Sequence, residues 1–151
     1  MVRRIIAYIA AVAVMVVLGS ISHSIFVQQA WVQASGLDPA GQPVQLAMGD
    51  RLGWIGHDLI GLEPLYGALV GIALLVAFLA SGLVARFTGL RTIVFAVAGA
   101  IAIFVMFTLM KSQLGTVGVF GARGMAGLGA QMVVGLVAGI VFAAMSRPRS
   151  I

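Results

Sequence analysis

Four polar residues, Ser20, His23, Ser24 and Gln28, follow one another at spacings of three, one and four, just after a run, Ile5 to Leu18, that is apolar apart from the Tyr8 hydroxyl. At about 100° per residue they share one helical face about 140° wide. Polar groups are costly in an apolar medium, so this face is expected to turn inward, toward a protein interior or a wet cavity. By topology the same outer level receives His57, Asp58 and Glu63, the thioethers of Met106 and Met110, and then Arg123 and Gln131.

Three chemistries are open to such a cluster. His23 and His57 could hold a haem b with Arg123 near a propionate, the histidines and methionines could bind copper, or the polar face could line a quinone or small-solute pocket. The alternative is structural: His23 bonded to a serine or a carbonyl, His57 and Asp58 solvated, Glu63 and Arg123 paired, and the methionines filling the core. No C-x-x-C-H, H-E-x-x-H or G-x-S-x-G string accompanies these residues. The chain has no cysteine, which removes disulfides, thiolate metal sites and a cysteine nucleophile. No catalytic residue and no cofactor is therefore predicted, and His23 and His57 are the weak metal candidates.

The elements that would position these residues follow from composition. Of 151 residues 62% are hydrophobic and 9% are charged, with a mean hydropathy of +1.15. A soluble domain normally carries roughly a quarter charged residues, so the chain reads as an all-α integral membrane protein, a single membrane domain over residues 1–151. About 20 apolar residues cross a bilayer core. Four stretches qualify, at 5–27, 65–85, 92–110 and 125–145, and predict a four-transmembrane-helix bundle. Arg3 and Arg4 before an apolar run imitate a secretory signal, but apolar character resumes through Val27 and predicts an uncleaved anchor.

Charge predicts the orientation. Arg3, Arg4, Arg86, Arg91, Arg147 and Arg149 flank the spans on one side, while on the other Asp38, Asp50, Asp58 and Glu63 share the first loop with Arg51, and the third loop carries Lys111 and Arg123. Short arginine-rich loops stay cytoplasmic, so both termini are expected there. Eight arginines against one lysine, with abundant Ala, Gly and Val, fit a bacterium with a GC-rich genome, hence an inner-membrane location. The +5 net charge does not form the basic stripe with aromatics that nucleic acid requires. The expected surroundings are the lipid bilayer and other membrane subunits or further copies of the chain.

The first outer loop, 28–64, contains turn-makers at Gly36, Pro39, Gly41 and Pro43. Asp50 then stands where it could cap a short interfacial helix, with Leu52, Ile55, Leu59 and Leu62 at helical spacing, Trp54 at headgroup level and Gly61 at the end. Pro64 suits the first turn of the second span. The third loop has glycines at 115, 118, 121 and 124. It lacks any phosphate-loop string and reads as a flexible or re-entrant connection.

Small residues supply the packing faces. Gly127, Gln131, Gly135, Gly139 and Ala143 recur every fourth residue, and Gly67 with Gly71, then Ala73, Ala77 and Ser81, offer a similar surface, as does Ala96 with Ala100. Close approach along small residues is what holds helices together in lipid, within one bundle or between subunits. The leading expectation is a non-catalytic protein acting by association, as an accessory or assembly subunit of a larger membrane complex or as a homo-oligomer. The alternatives are a small-solute transporter or channel, and a redox protein binding haem, quinone or copper through His23 and His57.

Overall fold

The computed structural model describes residues 2–61, 63–115, 122 and 124–147, without the side chains of residues 59–64 and 114. The described residues form five helices: α1 (Val2–Ser35), α2 (Met48–Gly61), α3 (Glu63–Thr88), α4 (Arg91–Leu114) and α5 (Met125–Met145). All but α2 are long and apolar enough to cross a membrane.

At 34 residues α1 is far longer than the 5–27 stretch expected to span. Its rise of about 1.5 Å per residue gives roughly 50 Å, well beyond the ~30 Å of a hydrocarbon core. The helix runs on because Gln28 to Ala34 contains no breaker, and it stops where Gly36 takes a left-handed φ of +69°. The remaining loop is tied by Asp38, whose Oδ1 accepts from the Ala40 and Gln42 amides at 2.9 and 2.8 Å. Helix α2 begins two residues before Asp50, so Asp50 sits in the first turn, where its charge complements the helix dipole, and not at the cap. Trp54 lies 5.9 Å from Trp31 edge-to-face, which pins α2 against the protruding end of α1.

The four long helices close into a ring in which α4 packs on α5 and α3, and α1 packs on α5 and α3. The α4–α5 seam is the tightest. A Cβ added at Gly135 would stand 2.6 Å from the Gly99 carbonyl oxygen, and one at Gly139 would stand 2.6 Å from the Phe95 carbonyl carbon. The every-fourth-residue ridge of α5, Gly127, Gln131, Gly135, Gly139 and Ala143, is buried throughout, and Gly135 and Gly139 sit on α4 within the chain. Gly67 and Gly71 face α1, against Val16 and Tyr8. Phe78, Phe95 and Phe142 form an aromatic cluster with centroid separations of 4.5 to 5.7 Å. The outward surfaces of α3 and α4 stay apolar, with Ile72, Leu75, Leu79, Leu83, Ile93, Val97 and Ile101 exposed.

Candidate functional site

One rotation of α1 places all four polar residues inward. Ser20, His23, Ser24 and Gln28 are buried together with Ala7, Ala11, Met15 and Gly19, the same helical stripe continued through the apolar half. The stripe faces two neighbours. On the bundle side, the fully buried Gln131 of α5 donates from Nε2 to the Gly19 carbonyl at 2.9 Å and accepts at Oε1 from the Tyr66 hydroxyl at 2.9 Å. On the α2 side, Ser24 Oγ donates to Asp58 Oδ2 at 2.5 Å and Gln28 Nε2 donates to the Arg51 carbonyl at 3.1 Å.

The geometry depends on a glycine. A Cβ at Gly19 would stand 2.5 Å from the Tyr66 hydroxyl oxygen and 3.0 Å from Gln131 Oε1. Only a bare backbone lets the carboxamide of α5 and the phenol of α3 meet on α1. A further hydroxyl, that of Tyr8, donates to the Gly71 carbonyl at 2.6 Å and joins α1 to α3 lower down.

The expected cluster is therefore assembled in part. Ser20, His23, Ser24, Gln28, Asp58 and Gln131 come to one end of the bundle. His57 stands exposed on α2 while His23 is buried, so the two imidazoles occupy different environments. Met106 and Met110 line a groove between α3 and α4. The Glu63 side chain and Arg123 lie outside the described residues, as does most of the glycine-rich third loop. Among the described residues no group of three or more His, Asp or Glu side chains could hold a metal ion.

Two partners of the cluster, Tyr66 and Gly19, were not among the expected site residues. Tyr66 carried a usable signal: it is one of two tyrosines, it opens an apolar span, and a buried phenol needs a partner for its hydroxyl. Gly19 offered none beyond its position beside Ser20.

Two grooves lie elsewhere on the surface. The first, about 770 Å³, runs between α3 and α4 from Leu69 to Ser81 and from Ala98 to Gln113, floored by Ala73, Ala77, Ala98 and Ala102. The second, about 480 Å³, lies at the α3–α4 turn and is lined by Gly89, Leu90, Arg91, Thr92, Ile93 and Arg147. Compared with family models, curated proteins and solved structures, the chain finds no match.

Proposed function

We propose that this chain is a multi-pass protein of a bacterial inner membrane, with both termini cytoplasmic, and that it works by association and not by catalysis. Four apolar helices with large exposed aliphatic side chains support the membrane placement, because a soluble protein keeps contiguous apolar patches to a few hundred Å². The arginine distribution supports the orientation.

The groove between α3 and α4 carries the association reading. Small residues in lipid mark surfaces where another helix backbone approaches, and the glycine ridge of α5 is already used inside the bundle. The alanine-floored groove is a small-residue surface left open to the outside among the described residues. It covers 13 residues of α3, about 18 Å of helix length. Its occupant is a single apolar transmembrane helix of a different subunit. A two-fold pair of this chain would set concave against concave and leave the groove unfilled, since an isologous contact uses the same patch on both copies. The bonds of Ser24 and Gln28 to α2, and of Gln131 to Gly19 and Tyr66, support a structural role for this face over a solute path.

Native mass spectrometry of the protein extracted in mild detergent tests this reading. A discrete, stoichiometric partner mass should survive with Leu83→Trp, on an exposed face outside the groove, and be lost with Ala98→Trp, a half-buried wall position that projects into it. Thermal unfolding of the variants monitors the fold. A bare monomer, or a dimer of this chain, would overturn the proposal.

A further inference from the structure

The end of the bundle opposite the polar cluster gathers cations with no acidic side chain beside them among the described residues. Arg3 and Arg4 open α1, Arg86 lies in the last turn of α3, Arg91 opens α4 and Arg147 follows α5. Arg4 and Arg147 are close enough to Arg91 to act on its charge. All four acidic side chains belong to residues 38–63, and the nearest described one along α1, Asp58 on Ser24, is roughly 30 Å of helix away from Arg3.

Two of these arginines also bond within the protein. Arg3 Nε donates to the Met145 carbonyl at 2.7 Å, and Arg91 Nη2 donates to the Ser146 carbonyl and hydroxyl at 3.3 and 2.6 Å, with its guanidinium 5.0 Å from the Phe95 ring centroid. Arg147 makes one exposed bond, from Nη2 to Thr92 Oγ1 at 3.1 Å. Between Arg91 and Arg147 lies the 480 Å³ groove, and the first turn of α4 opens into it. Leu90 precedes that turn and gives its amides no side-chain cap. Cations, uncapped helix amides and a concave surface converge on one place.

The apolar rim says what kind of anion fits. Ile93 lines the groove and is exposed, and Val97 and Ile101 continue the same exposed strip along α4. We infer that this groove binds the phosphate of an anionic phospholipid, held by Arg91 and Arg147, with the acyl chains lying along Ile93, Val97 and Ile101. Basic pockets between helices at the cytoplasmic face are where such headgroups are recognised. A free phosphate would use the arginines but gain nothing from the aliphatic strip. The site rests on the membrane placement above; its headgroup end lies apart from the association groove, whose walls begin at Ala98 and Ser81, and the two share only Ile101.

The test uses the delipidated full chain in a neutral detergent, with lipid binding followed by native mass spectrometry and by the thermal midpoint. Phosphatidylglycerol should bind and stabilise, phosphatidylcholine should not, and added salt should weaken the effect. Arg147→Gln should weaken phosphatidylglycerol binding about fivefold. Arg147→Lys should keep most of it, and Arg51→Gln, at the other end, should change nothing. Equal binding of phosphatidylcholine, or unchanged binding in Arg147→Gln, would overturn the site. Inorganic phosphate reproducing the full stabilisation at millimolar concentration would overturn the lipid assignment.

Discussion

Gly139→Ala should destabilise the bundle by about 2 kcal/mol, although alanine is the better helix former. The added Cβ would stand 2.6 Å from the Phe95 carbonyl carbon and 2.8 Å from Ala96 Cα. Ordinary contacts of this kind lie at about 3.5 to 4 Å, so α4 and α5 must part by roughly 1 Å. Both obstructing groups are backbone, which cannot swing aside as a side chain can. A gap of that size forfeits up to about half the dispersion well for the atoms lining it. Overpacking costs about 1–3 kcal/mol, and a backbone-on-backbone contact belongs at the upper end. The propensity gain of alanine over glycine returns up to about 1 kcal/mol.

Gly129 provides the comparison on the same helix. A Cβ there meets nothing within 4 Å, so Gly129→Ala should be neutral or stabilising by up to about 1 kcal/mol. Thermal unfolding of both variants in one detergent, followed by far-UV circular dichroism, should separate their midpoints by several degrees with opposite signs relative to the parent. Equal midpoints would mean that Gly139 does not sit in a tight seam, and the ring of helices would be wrongly closed.

Gln131→Leu keeps the volume but removes the bonds to Gly19 and Tyr66, and should cost about 1–2 kcal/mol of stability in the same assay, given about 0.6 to 1.7 kcal/mol per interhelical bond in membranes. Ser24→Ala releases Asp58 and should raise amide exchange across α2 while α5 stays protected; unchanged exchange in α2 would show that the bond does not anchor it. Single cysteines at Val2 and Ser150 in the cysteine-free chain should resist an impermeant thiol reagent in intact cells and react after permeabilisation. Labelling from outside would reverse the proposed orientation.

The buried face of α1 was legible because two costs select the same rotation: Ser20, His23, Ser24 and Gln28 avoid apolar surroundings when they turn in, and the small residues Ala7, Ala11 and Gly19 then meet the neighbouring helices. The glycine ridge of α5 was legible for the same reason. Neighbour order was not. Periodicity gives each helix its rotation, and topology gives each residue its depth, but neither says which helices stand side by side. Met106 and Met110 illustrate the gap. Depth alone placed them with the polar cluster and could not show that they also line the α3–α4 groove. Tyr66 was overlooked for a related reason: one polar atom on an apolar helix leaves no periodic trace.

The arginines show how one residue type can serve sorting and structure together. Their clustering at one end predicts orientation by charge alone, a role that needs no particular contact. The structure adds contacts: Arg3 and Arg91 donate to carbonyls at the C-terminal end of α5, where cations complement the helix dipole. The first and last helices are joined at two levels, by Arg3 to Met145 and by Gln131 to Gly19, roughly 24 Å apart along α1. These contacts lie 142 and 112 residues apart in sequence, so they close the ring between helices that no short loop brings together. Small residues let the backbones approach, and these two bonds fix the register at which α1 meets α5. Arg147 makes an exposed bond to Thr92 and no bond to those terminal carbonyls, which is why the lipid headgroup is assigned to its side of the groove.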